Sequence, residues 1–357
     1  MASAPTTSNT PTTFPRSTFA KLSPHPFLLA NLAPTDNSHP PARTNGRAQT
    51  ESRVVNVNTG SLSHAQGSAV VRCGDTTVIC GVRAEILPVA SIPNYRALED
   101  DAGTLAAGTE RGRRELRDYD LLVPNIELAT GCAPQFLPGV PPSTLAQTLS
   151  SRVYSLLHAS HLLSVDDLRI VHTPATRSSR PDDGDEAMEE EEDDDDDGKK
   201  PETKAFWTLF IDVLFISFDG NPFDVAWTAV LAALRDTKLP AAKWDEDREM
   251  VLCSRQAPAK PLGVSGFPVA CTAAVVRRRR DDPDVAGDQY WVLVDPDRSE
   301  EELCDEFVSV VVDSEGGDGT KILSLLKLGG TSAGMEFINR LVTLAEGRWK
   351  EIRGAMR

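Results

Sequence analysis

Two arginine clusters are the first groups in this 357-residue sequence with the chemistry to hold a polyanion: Arg277, Arg278, Arg279 and Arg280, and Arg111, Arg113, Arg114 and Arg117. A guanidinium forks onto phosphate oxygens, and each phosphate neutralised adds a salt-dependent increment of affinity. Asp281 and Asp282 follow the first cluster at once and offset it. Neither cluster has interleaved aromatics of the kind that stack bases, and aromatic residues make up only 6% of the chain, so any nucleic-acid contact is expected at backbone phosphates. His158 and His161 stand three apart, but no carboxylate or cysteine at helical spacing completes a metal site with them; they read as packing or surface histidines. After an apolar run, Asp295-Pro296-Asp297-Arg298-Ser299-Glu300-Glu301 crowds carboxylates together. Its simplest reading is a turn followed by a helix N-terminus enriched in acid.

The elements that must position these groups are legible in part. Residues 1–25 read as a disordered tail, rich in Ser, Thr and Pro near its start, and residues 26–32 as a short docking helix. Val54 to Ile86 is β-like, with Gly60, Gly67 and Gly74 at hairpin spacing and Gly74-Asp75 as a turn. The stretch 98–119, with Gly103, Gly108 and Gly112, reads as a polar excursion loop. A helix is predicted from about Ser143, its N-cap, to Leu163, with Leu145, Leu149, Val153, Leu156 and Leu157 as the apolar stripe. Strands near Leu168–His172 and Ala205–Phe218 flank an acidic insert at 176–203, which is read as a disordered extension of a hairpin loop.

Asp219-Gly220-Asn221-Pro222 opens a helix from Phe223 to about Leu234 whose small and apolar residues imply burial on most sides. Four strands between Val269 and Leu326 and a terminal helix over about 333–352 complete the chain. Strands with few, unevenly grouped helices indicate an α+β fold.

The net charge of −16 is misleading as a guide to partners. Thirteen acidic residues fall between Pro181 and Gly198, so the remainder carries only −3. No apolar run approaches the ~20 residues that span a bilayer, so no membrane partner is expected. The first thirty residues lack both a secretory core and the amphipathic helix of a transit peptide. Cys73, Cys80, Cys132, Cys253, Cys271 and Cys304 form no CxxC pair, which predicts a reducing intracellular compartment and neither zinc nor disulfides. No cofactor is expected.

Five segments in order resemble the RNase PH family, and within it the non-catalytic ring subunits of the eukaryotic RNA exosome. They are RTNGR (43–47), GSLSHAQGSAVVRCGDTTVICGVRAE (60–85), FWTLFIDVLFISFDGNPFDVAWTAVLAAL (206–234), VLVDPDRSEEE (292–302) and LKLGG (326–330). The resemblance runs from about Phe27 to the C-terminus. It implies one RNase PH-like domain over 26–357, with ribosomal protein S5 domain 2-like β-α-β halves.

Active members of the family degrade RNA from its 3′ end by phosphorolysis, which requires a bound phosphate and carboxylates at the scissile linkage. By that resemblance Asp295 and Glu301 match the two catalytic acids, and Arg152 is what remains of an arginine pair whose other member is replaced by Thr148. Gly329 to Gly334 is a loose echo of a phosphate loop. The three residues are therefore read as vestigial, and the expected function is structural: an RNA-channel subunit supporting 3′–5′ processing and degradation, including that of ribosomal RNA.

Expected partners are other RNase PH-type subunits in a hetero-oligomeric ring, RNA-binding cap proteins, RNA and associated hydrolytic exoribonucleases. Expected locations are nucleus, nucleolus and cytoplasm. A phosphorolytic exoribonuclease subunit, active alone or with a partner, is the alternative; a free-standing RNA-binding module of the S5-like class is the second.

Overall fold

The computed structural model describes residues 14–34, 40–93, 95, 105–173, 202–254, 256–278, 290–315, 319–330 and 334–356. Their strands are β1 (Val55–Thr59), β2 (Gly67–Cys73), β3 (Thr76–Pro88), β4 (Leu122–Leu128), β5 (Arg169–His172), β6 (Glu202–Ser217), β7 (Lys238–Leu239), β8 (Ala242–Asp245), β9 (Met250–Cys253), β10 (Lys260–Pro261), β11 (Val269–Arg277), β12 (Tyr290–Val294), β13 (Glu306–Asp313) and β14 (Lys321–Leu328). The helices are α1 (Arg16–Leu22), α2 (Pro24–Leu32), α3 (Leu105–Asp118), α4 (Thr144–Ser160), α5 (Pro222–Asp236), α6 (Arg298–Leu303) and α7 (Met335–Ala355).

Two sheets carry the fold. The first has the order β1-β2-β3-β6-β4, with β5 also on β6; the second has the order β12-β11-β13-β14. All pairs are antiparallel except β4 with β6, which the crossover through α4 makes parallel. Gly74-Asp75 joins β2 to β3 directly, with Cys73 paired to Thr76. Ser143 caps α4 by accepting a hydrogen bond from the Ala146 N–H at 3.2 Å.

Helix α5 lies between the sheets, packing on β2 and β3 of one and β11 of the other, and every residue from Pro222 to Leu234 is buried. Its Ala-rich surface lets both sheets approach closely. Trp227 fills the remaining space and satisfies its indole N–H on the Pro268 carbonyl at 2.9 Å. β11 is buried from Val269 to Val276, as a strand covered on both faces must be. Helix α7 covers β11 and β13.

The structure corrects three expectations. Residues 105–118 form helix α3 rather than part of a loop. Gly112 weakens the helical signal in sequence, but a Cβ there would meet Val165 Cγ1 at 2.8 Å, so the glycine serves close packing. Of the expected tail, residues 16–22 form α1, and α2 begins at Pro24, where proline suits the first turn. Leu28 and Leu32 of α2 bury themselves against Ala274, Val276 and Leu293 of the second sheet. The insert ends before Glu202, where β6 begins; residues 176–201 of it lie outside the described residues, as do residues 1–13 of the tail and 98–104 of the expected loop apart from α3.

Candidate functional site

The site forms where the N-terminus of α5, the end of β12 and the start of α6 meet. Gly220 makes this possible. It has φ +75°, and a Cβ there would fall 2.5 Å from the Asp297 carbonyl carbon and 2.6 Å from the Arg298 nitrogen. The turn can therefore lie directly against the 296–298 backbone only with glycine. Asn221 follows at φ +47°, a left-handed conformation that asparagine tolerates.

Asp295 sits in this junction, 2% exposed and with φ +52°. Its carboxylate accepts from Arg53 three times: from Nε at 2.9 Å, from Nη2 at 2.7 Å and from the backbone N–H at 2.8 Å. Asn221 Nδ2 donates to its other side at 2.8 Å. Burial alone would raise the Asp295 pKa, but the hydrogen bonds and charge of Arg53 outweigh it and hold the carboxyl well below the usual range. The Asp295 carbonyl is also taken, by Arg43 Nη2 at 3.1 Å and Arg47 Nη1 at 3.0 Å. This is a neutralised, fully bonded acid.

Its neighbours are engaged in the same way. Glu300 forms a buried ion pair with Arg43 and a capping box with Asp297 at the start of α6. The expected turn and acid-rich helix N-terminus are both present, with Asp295 at the bend and Glu300 and Glu301 in the first turn of α6; the burial and clamping of Asp295 were not expected. Glu301 accepts the Asn221 N–H at 2.7 Å, at the first residues of α5. Burial pushes its carboxyl up to about 7, against the lowering effect of that hydrogen bond and of Arg53. A helix N-terminus is where this fold would hold an anion, and here a side chain of the same protein fills it.

Arg152 of α4 is half-buried. Its guanidinium lies 3.7 Å from the centre of the Phe223 ring, the second residue of α5, a cation–π stack. Burial lowers its pKa, opposed by the charge of Asp224. Asp224 is buried below it and accepts from the Thr272 N–H and hydroxyl, both at 2.7 Å, and from Asn221 Nδ2 at 2.9 Å. Thr148, one turn before Arg152, bonds its own helix at the Thr144 carbonyl.

The tertiary fold thus brings Asp295, Glu301 and Arg152 around one helix end, as the family resemblance implied. It also adds Arg43, Arg47, Arg53, Asn221 and Asp224; all but Arg53 fall in segments that carried the family resemblance, though none was named as a site residue. The left-handed Asp-Gly-Asn turn before a helix was the available signal for Asn221. Gly329 and Gly330 belong elsewhere: they pack against Asp305 and Glu306, and Glu306 pairs with Arg277 at 2.8 Å and Lys327 at 3.6 Å.

The arginine clusters separate. Arg113, Arg114 and Arg117 are exposed on α3, while Arg111 is half-buried and pairs with Glu115 at 3.5 Å. Burial and the nearby positive charges of Arg113 and Arg117 lower the pKa of His161 at the end of α4; burial and Arg117 do the same to His158. Of the second cluster, Arg277 ends β11 in its pair with Glu306, Arg278 follows it, and Arg279 and Arg280 lie outside the described residues.

Glu301 supplies a pH test. Its carboxyl binds a proton more tightly folded than unfolded, so between the ordinary glutamate pKa and about 7 the folded state holds the extra proton, and stability falls as pH rises through that window. Glu301→Gln keeps an acceptor for Asn221 and removes the charge. Urea unfolding from pH 5 to pH 8 is expected to show the wild type losing about 1–3 kcal/mol more than this variant. Parallel curves would mean that Glu301 is solvated.

Comparison with known proteins agrees with this architecture. The model of the 3′ exoribonuclease family, domain 1, matches residues 51–240, and that of domain 2 matches residues 266–348. The chain is 29% identical over 337 residues to the exosome complex component rrp43 of Schizosaccharomyces pombe, covering 94% of this chain and 96% of that one. It is 28% identical over 283 residues to the exosome complex component Rrp42 of Methanothermobacter thermautotrophicus, covering 79% of each. Among solved structures, the Archaeoglobus fulgidus exosome with RNA bound to the active site has a chain similar in fold, with a TM-score of 0.60 at 22% identity, covering 93% of this chain and 97% of that one. With both domain models matched in order over most of its length, and two sheets packed on α5 to correspond to them, this chain belongs to the RNase PH (3′ exoribonuclease) family.

Proposed function

We propose that this protein is a ring subunit of the RNA exosome core that supports 3′–5′ RNA processing and degradation without phosphorolysis of its own. The observation that carries the non-catalytic part is the self-satisfied site. Asp295 is neutralised by Arg53, the α5 N-terminus is filled by the Glu301 carboxylate, and Arg152 is stacked on Phe223. An incoming phosphate would have to displace the Glu301 carboxyl from the Asn221 N–H. The ring part is supported by similarity to named exosome components over 94% and 79% of this chain.

In this reading the partners are other RNase PH-type subunits, RNA-binding cap proteins and hydrolytic nucleases docked on the ring. RNA contact falls on backbone phosphates, with the exposed Arg113, Arg114 and Arg117 of α3 as the candidates that the fold presents together. Residence in nucleus, nucleolus and cytoplasm belongs to the same proposal and is read by imaging the tagged chain.

Gentle purification of the tagged chain from its own cells tests the assembly. Co-recovery with five other RNase PH-type chains and cap proteins in one complex is the expected result. A monomer or homo-oligomer overturns it, and phosphate-dependent release of nucleoside diphosphates by the purified chain would overturn the non-catalytic reading.

A further inference from the structure

At one end of the second sheet, residues of β11, β12, β13 and β14 and the start of α7 enclose a half-open cavity of about 90 Å³. Its apolar wall is Val275, Tyr290 and Phe337. Val275 is buried, and the Tyr290 and Phe337 rings meet edge to face with their centroids 6.0 Å apart. Its polar wall is Arg277, Glu306 and Lys327. None of these residues takes part in the junction around Asp295.

The polar wall is poorly matched within itself. Glu306 is 7% exposed and is held in place by the Gly330 backbone, where a Cβ would run into its carboxylate. Glu306 Oε1 lies 2.8 Å from Arg277 Nε but off the direction of its N–H, and this buried N–H has no acceptor among the described residues. Arg277 Nη2 reaches Oε2 only at 3.5 Å, and Lys327 Nζ only at 3.6 Å. Lys327 donates instead to the Gly329 carbonyl at 2.6 Å. Two cations therefore share one carboxylate, and one positive charge of the wall has no counterpart in it. A partly buried charge left so is costly, and a bound anion would offset that cost.

We infer that this cavity is a docking pocket for a side-chain carboxylate, that of an aspartate or glutamate in a partner's peptide, with an apolar neighbour in the peptide lying on Tyr290. The charge of the wall selects a monoanion. A phosphomonoester would bring nearly two negative charges to a wall that already holds Glu306. The volume selects the shape. A water molecule takes about 30 Å³ in the liquid, so the cavity has room for a carboxylate on one or two methylenes. It has no room for the two riboses that flank an RNA phosphodiester. Val275 and Phe337 suit the methylenes, Arg277 and Lys327 the carboxylate, and the Tyr290 ring, 46% exposed, the apolar neighbour. The pocket is complete within one chain, so it stands apart from assembly into a ring.

The test uses two blocked tripeptides, acetyl-Leu-Glu-Leu-amide and acetyl-Leu-Gln-Leu-amide, with dimethyl phosphate as a phosphodiester. Methyl NMR of the valine-labelled full chain reads their binding at Val275. The glutamate peptide is expected to move the Val275 methyls to saturation, and the glutamine peptide to bind at least about tenfold more weakly. Arg277→Gln should weaken the glutamate peptide by a similar factor. Glu306→Gln, which releases both cations, should strengthen it at least about threefold. The thermal midpoint of each variant reports whether it folds, and the comparison of the two peptides on the wild type stands without either. Equal binding of the two peptides, or Val275 methyls that stay in place up to about 10 mM, overturns the inference. Dimethyl phosphate binding as tightly as the glutamate peptide assigns the pocket to RNA and overturns it too. Binding seen only after Asp281→Asn, Asp282→Asn and Asp284→Asn are combined would give the pocket to the chain's own acids, against the inference.

Discussion

Replacing Arg53 with methionine is expected to cost about 3–5 kcal/mol of folding stability, the largest effect of any single side chain at the junction. The guanidinium is nearly buried and holds both carboxylate oxygens of Asp295, while Nη1 donates to the Asp219 carbonyl at 2.6 Å. Without it, Asp295 remains 2% exposed, its charge addressed by Asn221, the backbone N–H of residue 53 and Arg47 at 3.5 Å. Equilibrium denaturation at pH 7 measures the loss.

The pH dependence identifies the cause. In the wild type the Asp295 pKa is depressed, so its contribution is present above the unfolded value and is lost only as pH falls below it. In the variant the buried acid takes up a proton more readily, so the deficit should narrow between pH 7 and pH 4. Arg53→Met combined with Asp295→Asn removes both charges and keeps a residue that accepts a left-handed backbone; it should recover at least about 1–2 kcal/mol. A deficit under about 1 kcal/mol, with no recovery in the double variant, would mean that the ion pair does not hold the junction together.

Gly220→Ala is expected to be nearly as damaging, at about 2–5 kcal/mol. The φ of +75° costs a side-chain-bearing residue about 1–2 kcal/mol. The added methyl would also stand 2.5–2.8 Å from three backbone atoms of residues 296–298, which cannot move aside as a flexible side chain could. The displaced turn carries Asn221, so the contacts to Asp295, Asp224 and Glu301 should loosen together. Thermal unfolding measures the cost. Hydrogen exchange at the Asn221 amide, which is bonded to Glu301 in the wild type, should accelerate in parallel. A stable variant with normal protection would show that the turn and the 296–298 segment are farther apart than this.

Both substitutions act where the two sheets meet, at the junction that holds Asp295, Glu301 and Arg152. On the proposed non-catalytic reading, stability and the loss of chemistry share their residues. Arginines and carboxylates pair with one another inside the protein, Arg53 with Asp295 and Arg43 with Glu300.

The sequence by itself determined whatever depends on neighbours along the chain. The β2–β3 hairpin follows from Gly74-Asp75 between two apolar runs, α4 from Ser143 and its leucine stripe, and the burial of α5 from its run of alanine, valine and leucine. The charge of −16 was assignable to one segment by counting. Helix α3 was hidden because glycine is a poor helix former locally, while its value at position 112 lies in contact with Val165, more than fifty residues away.

Only the tertiary structure decided what the carboxylates do. Asp295 and Arg53 are 242 residues apart and Arg43 and Glu300 are 257 apart. Nothing in local periodicity says which arginine meets which acid. Exposed, the same Asp295 and Glu301 would be ordinary solvated acids. Burial pushes both proton affinities up, but Arg53 in contact with Asp295 reverses the direction there, whereas desolvation prevails at Glu301.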